Sequence, residues 1–169
     1  GKTVRDGMEA AIETMTSAGA EISAGGRRIE GPGFRFENTL LRVAADRFLE
    51  RPEPLQQEAF GAVSLCVRAS TEDQILAVAG ALDGNLTGSI YSALDGADDP
   101  LYRRLEPILR TKVGRLLNDK VPTGVTVTPA MVHGGPYPAT GHPGFTSVGY
   151  PAAMVRFAAL HGYDRVRPE

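Results

Sequence analysis

Between Lys2 and Ala18 the apolar residues Val4, Met8, Ala11, Ile12 and Met15 recur every three or four positions. That spacing predicts one face of an amphipathic helix, and Gly19 is placed to stop it. Ala20–Ala24 predicts a short strand closed by Gly25-Gly26, and the stretch from Arg27 to Gly33 is rich in turn formers. Thr39–Val43 predicts a second strand. Asp46 to Gln57 carries two prolines and many charges, which predicts a loop with at most a short helix. Val63–Arg68 is a strand with partial alternation. Beyond it Ser70 precedes Thr71-Glu72-Asp73, which predicts a helix N-cap with acids in the first turn. This helix runs to about Leu82, with Ile75, Val78, Ala79 and Leu82 facing inward and Gly84 past its end.

The second half repeats the alternation. Leu86–Ala93 predicts a strand, and Asp99-Pro100 opens a helix that reaches Thr111 through Leu101, Leu105, Ile108 and Leu109. Pro107 is a candidate kink within it. Val113–Asn118 is a further strand, and a last helix is expected from Pro151 to Leu160. Strands alternating with helices imply an α/β fold: a largely parallel sheet with helices on both faces. The Gly- and Pro-rich stretch from Lys120 to Gly144 exceeds the usual loop length, and such loops often carry function. It is expected to cross the carboxyl end of the sheet, where ligand crevices form.

Composition narrows the classes. The 169 residues suit a single domain, 1–169, with a real core. Eighteen basic and twenty acidic residues are well mixed and leave a net charge of −2, so no basic stripe exists to track nucleic acid. No apolar run approaches the about 20 residues that span a bilayer, and the polar start predicts no signal peptide. One cysteine excludes a disulfide framework and fits a cytoplasmic protein. Cys66 sits between Leu65 and Val67 with no histidine close in sequence, and reads as a small buried hydrophobe rather than a nucleophile. No metal site is expected, because His133, His142 and His161 form no ligand cluster. Asp95, Asp98 and Asp99 read as turn and cap residues. The Gly25-Gly26 pair lacks the context of a dinucleotide fingerprint.

Three segments carry a resemblance: Gln57-Glu58-Ala59-Phe60-Gly61-Ala62, then Pro122-Thr123-Gly124-Val125-Thr126, and then His133-Gly134-Gly135-Pro136-Tyr137-Pro138-Ala139-Thr140 with Phe145-Thr146-Ser147-Val148-Gly149. Together they resemble the C-terminal half of an aldehyde dehydrogenase catalytic domain. They are most similar to the NADP-preferring branch that oxidises α-ketoglutaric semialdehyde (2,5-dioxovalerate). The resemblance implies that the catalytic cysteine, the general-base glutamate and the nucleotide-binding domain lie upstream, so that this chain holds no catalytic residue and is inactive alone. It implies an NADP or NAD cofactor bound mainly by that upstream domain, a small aldehyde as substrate, and a homo-oligomeric intact enzyme.

The same resemblance assigns roles. The family's Glu-Glu-hydrophobic-Phe-Gly-Pro motif places its second acid on the nicotinamide ribose and its Phe beside it, which here are Glu58 and Phe60. Gln57 and Ala62 depart from that pattern. Thr123 is implied as a hydrogen-bond donor to a polar substrate tail. His133 is implied to line the aldehyde site, with Gly134 and Gly135 allowing close backbone approach. On residue type alone, Glu58 reads as a solvated acid, His133 as a loop histidine and Thr123 as part of a turn. Two further readings stand beside the leading one: a fatty or other aldehyde as substrate, and a naturally truncated, non-catalytic domain that binds a partner or assists assembly.

Overall fold

The structure is a computed structural model that describes residues 1–122, 124, 128, 131, 133–142, 154, 158, 159 and 162. Its contacts divide the chain into two compact units, Gly1–Leu82 and Asp83–Glu169.

In the first unit α1 (Lys2–Ser17) buries Met8, Ala11, Ile12 and Met15, as the spacing predicts, while Val4 stays exposed. Gly19 terminates the helix with φ +110°, a conformation that only glycine adopts without strain. The Ala20 amide then donates to the Met15 carbonyl at 3.0 Å. β1 (Glu21–Ala24) pairs antiparallel with β4 (Thr39–Ala44), and β4 pairs parallel with β5 (Val63–Arg68) in the order β1-β4-β5. The turn-rich stretch after Gly26 is more regular than expected, because β2 (Arg28–Ile29) pairs with β3 (Arg35–Phe36) as a short antiparallel ladder.

The expected loop after β4 is instead two short helices, α2 (Ala45–Glu50) and α3 (Pro52–Leu55). Pro52 occupies the first turn of α3, where its missing N–H costs nothing, and burial of Phe48 and Leu55 holds both helices down. Burial overrides the breaker signal of the prolines. α4 (Glu72–Ala81) is capped by Thr71, one residue past the expected Ser70, because the Thr71 hydroxyl accepts from the Gln74 amide at 3.2 Å. The core joins Met8, Ile12, Met15, Leu41, Val43, Phe48 and Leu55, with Val63, Leu65, Val67 and Val78 packed against it.

β5 corrects one expectation. Its burial alternates strictly, with Val63, Leu65 and Val67 half-buried and Ser64, Cys66 and Arg68 exposed. Cys66 is therefore exposed rather than buried. In a strand the side chains alternate between faces, so the apolar residues on either side of Cys66 point to the core and Cys66 points away from it.

The second unit holds β6 (Asn85–Ile90), α5 (Asp99–Arg110) and β7 (Val113–Asn118), with β6 and β7 parallel. β6 stops short of the expected Ala93: the stretch after Ile90 turns, and the Asp98 carboxylate accepts from the Ala93 amide at 2.9 Å. α5 tolerates Pro107 on its exposed side and buries Leu109. The helix expected over 151–160 lies largely outside the described residues. Across the described chain the longer ladders, β4/β5 and β6/β7, are parallel and the shorter ones antiparallel. The α/β class and the largely parallel pairing hold.

Candidate functional site

In the first unit the segment before β5 presents Glu58 and Phe60 to solvent. Ala59 between them packs against the core, so its two neighbours turn outward. Phe60 is 71% exposed. The segment is fixed on both sides. The Ala62 carbonyl accepts from the Thr39 amide at 2.9 Å, and the Gly61 carbonyl accepts from the Val63 amide at 2.9 Å. At Gly61 a Cβ would press on the Met8 sulfur, so a larger residue would push the segment off α1. Beside it lies an open cleft of about 370 Å³, lined by Asn38, Thr39, Leu40, Gly61, Ala62 and Val63 among others. Glu58 and Phe60 thus stand at the amino end of the β4/β5 pair, next to a cleft, on a held backbone. An exposed carboxylate with an exposed ring two residues on suits a diol with an apolar face beside it.

In the second unit His133 is exposed while Gly134 and Gly135 are buried. A Cβ at Gly135 would overlap the Asn85 carbonyl oxygen, and one at Gly114 would overlap the Gly134 carbonyl oxygen. These two glycines bring backbone close to backbone, against the strands of this unit. The loop is closed by Thr140, whose hydroxyl donates to the Gly135 carbonyl at 2.7 Å and accepts from the Gly135 amide at 3.3 Å. Ala139 N–H bonds the Pro136 carbonyl at 2.9 Å, and the Tyr137–Pro138 peptide is cis.

These contacts revise the expected path of the long loop. It leaves β7 at the carboxyl end of the strand, but by Gly134 and Gly135 it packs against Gly114 and Asn85, at the amino ends of β7 and β6.

Sequence reasoning missed a polar knot at the carboxyl ends of β6 and β7. Asp119, at φ +50°, donates its amide to the Ile90 carbonyl at 2.9 Å. Its carboxylate accepts from the Ser92 amide at 2.8 Å and from the Ser92 hydroxyl and Asn118 side-chain amide. The Ser92 amide bond, with the Asn118 and Ser92 side chains after it, holds the Asp119 carboxyl below the usual range. The available signal was Asn-Asp at a strand end, since these residues tolerate the left-handed region. Thr123 and Thr126 lie outside the described residues. Glu58 and Phe60 fall in one unit and His133 in the other. Among the described residues no group of three or more His, Cys, Asp or Glu is placed to hold a metal, and none of their helices is long and apolar enough to cross a membrane.

A model of the aldehyde dehydrogenase family matches residues 2–105. The chain belongs to the aldehyde dehydrogenase family. The first segment of the resemblance, with Glu58 and Phe60, falls inside that match. Among curated members, the chain is 49% identical over 118 residues to α-ketoglutaric semialdehyde dehydrogenase 2 of Azospirillum brasilense, covering 70% of this chain and 22% of that protein. It is 43% identical over 103 residues to α-ketoglutaric semialdehyde dehydrogenase of Acinetobacter baylyi, covering 61% of this chain and 19% of that protein. The chain thus spans about a fifth of the length of these aldehyde dehydrogenases. In fold it is similar to lactaldehyde dehydrogenase of Escherichia coli (TM-score 0.59, 24% identity, 80% of this chain and 26% of that one). It is equally similar to betaine aldehyde dehydrogenase of Staphylococcus aureus in complex with NAD+ (TM-score 0.59, 21% identity, 80% and 25%).

Proposed function

We propose that this chain is the C-terminal part of the catalytic domain of an NADP-dependent aldehyde dehydrogenase that oxidises α-ketoglutaric semialdehyde to the dicarboxylate. The observation that carries the reading is the presentation of Glu58 and Phe60 side by side on a segment held by Ala59, Gly61 and Ala62. The names of the two curated relatives support the substrate. The intact protein is read as a cytoplasmic homo-oligomer.

When bound, a nicotinamide coenzyme supplies a hydride acceptor. The residues of this chain then act as positioners. Glu58 accepts from the ribose hydroxyls, and the Phe60 ring walls the nicotinamide side, so the acceptor carbon is held in one orientation. His133 lines the aldehyde site on the loop that Thr140 closes, and Thr123 donates to the polar tail of the aldehyde. On this reading the nucleophile lies upstream of this chain, and Cys66, on the exposed face of β5, takes no part in the chemistry. The isolated chain is therefore inactive.

The test compares two proteins. The 169-residue chain, given the semialdehyde and NADP+, forms no NADPH. The longer enzyme forms it, and Glu58→Gln slows the single-turnover burst about ten- to a hundredfold, which is about 1.4–2.7 kcal/mol of barrier. The effect on coenzyme KM is smaller, because most coenzyme contacts lie elsewhere. An unchanged burst rate would make Glu58 a solvated loop residue. NADPH formation by the short chain that disappears in Cys66→Ala would overturn the assignment of the nucleophile.

A further inference from the structure

Among the described residues most arginines with a neighbouring acid have taken it. Arg28 pairs with Glu9 and Asp6, Arg42 with Glu21, Arg47 with Glu50 and Arg110 with Glu106. Arg115 has not. It is half-buried on β7, its Nη1 donates to the Gly124 carbonyl at 3.2 Å, and its Nε is buried with no hydrogen-bond partner among the described residues. The nearest acid in sequence, Asp119, is committed to Ser92 and Asn118. A buried donor left without an acceptor is costly, and most so on a charged group.

Arg115 lines a cavity of about 300 Å³ along β7, together with Lys120, Leu117 and Met131. No Asp or Glu appears among the described residues of its wall, and Lys120 makes no ion pair among the described residues. The Nη1 bond to Gly124 leaves Nε, on the opposite edge of the guanidinium beside Nη2, without an acceptor among the described residues. That edge is a fork whose two N–H groups match the two oxygens of a carboxylate.

We propose that this cavity binds a small organic carboxylate, taken bidentate by the Nε/Nη2 edge of Arg115 with Lys120 as a second positive charge. Leu117 and Met131 offer contact to the methylenes of a short acid. A volume of this size sits at the lower end for small-molecule sites. Binding turns the guanidinium toward the ligand and satisfies its orphaned Nε. The site stands without the enzymatic reading above; joined to it, the ligand is the carboxylate end of the keto-acid substrate or of its product.

The test is binding to the 169-residue chain itself, so that a failure of the proposed enzyme activity does not affect it. Backbone amide shifts of the ¹⁵N-labelled chain are followed while 2-oxoglutarate, butyrate or inorganic phosphate is added. Saturable shifts confined to residues 115–120 are expected for both carboxylates, with Kd on the order of 1 mM. Tighter binding of 2-oxoglutarate than of butyrate identifies a dicarboxylate or keto-acid ligand, and equal binding a simple monocarboxylate. Arg115→Gln weakens binding about tenfold or more, and Arg115→Lys, which keeps the charge but loses the fork, falls between. Lys120→Gln, an exposed change that leaves folding intact, weakens it about two- to threefold. The proposal is overturned by no saturable shift on β7, by unchanged binding in Arg115→Gln or Lys120→Gln, or by phosphate binding as tightly as the carboxylates.

Discussion

Phe48, Leu41 and Leu55 are the largest fully buried side chains described, and all lie in Gly1–Leu82. There α1, α2, α3, α4 and the sheet meet through interdigitated apolar side chains. In Asp83–Glu169 the tightest contacts described are glycines against backbone carbonyls, and they are more numerous than in the first unit. Gly114 lies against the Gly134 carbonyl, Gly135 against the Asn85 carbonyl, and Gly84 against the Pro136 and Tyr137 carbonyls. The first unit is held chiefly by the volume of its side chains, with one glycine–carbonyl approach at Gly25 and Asn38, and the second along the 134–137 stretch by their absence. The first arrangement builds a platform that carries Glu58 and Phe60 at its rim. The second lets the 134–137 stretch lie flush on two strands, with His133 exposed beside it. Opposite substitutions should therefore damage the two units.

The largest effect is expected from truncating the platform. Phe48→Ala removes a fully buried ring between α2 and the core and should cost about 3–5 kcal/mol, read as a lowered midpoint in urea unfolding. A cost below about 1 kcal/mol would mean that α2 is not anchored by that ring. Next comes the reverse change in the second unit. Gly114→Ala puts a methyl group into the Gly134 carbonyl and should cost about 1–3 kcal/mol, because the loop must lift. Hydrogen exchange would show lost protection at Gly135 and Ala139, whose amides bond Thr140 and Pro136. Gly80→Ala, at an open position on α4 with nothing within 4 Å of the new methyl, should instead be neutral or slightly stabilising. Equal effects at Gly114 and Gly80 would end the distinction between the two kinds of packing.

Periodicity carried most of the architecture because burial follows it. The face Met8-Ala11-Ile12-Met15 of α1 and the strands β4, β5 and β7 were legible from spacing alone. What spacing could not supply was context. The prolines around α3 look like breakers, yet Pro52 sits where a helix accepts it and Leu55 is buried. The apolar residues beside Cys66 suggest that it is inside, yet alternation on an edge strand puts it outside. The backbone partners of the glycines in His133–Gly135 were not legible, because Gly114 and Asn85 are distant in sequence. Arg115 was not legible at all. An arginine in a strand reads as a solvated face, and only the missing acceptor at its Nε marks it.

Acid should act on the comparison through a surface cluster of the first unit and a knot of the second. A hydrogen bond from Arg5 holds the Asp6 carboxyl below its usual range, and one from Arg28 does the same for Glu9. Asp119 is lowered chiefly by the Ser92 amide. A carboxylate with a folded pKa below its unfolded value stabilises the fold above the unfolded value, about 4 for these groups. That contribution is lost as pH falls from there through the folded value. Melting temperature should therefore be flat across neutral pH in this respect and decline only below about pH 4. The Glu9→Gln variant should lose part of the decline, since its pair with Arg28 ties β2 to α1. A decline already present near pH 6 in both proteins would point to histidine instead.

The smallest effect is expected at Cys66, where position rather than residue type decides. A buried cysteine cut to alanine would leave a small cavity and cost on the order of 1 kcal/mol. Cys66 instead lies on the exposed face of β5 between Ser64 and Arg68, opposite Arg42 of β4. Removing its sulfur uncovers nothing, so Cys66→Ala should change stability by no more than about 0.5 kcal/mol in either direction. The free thiol should react with a small aromatic disulfide in the native state at a rate close to that of the urea-unfolded chain. Slow labelling that becomes fast only on unfolding would put the sulfur back inside. A destabilisation above about 1 kcal/mol would do the same, since only a packed side chain carries that cost.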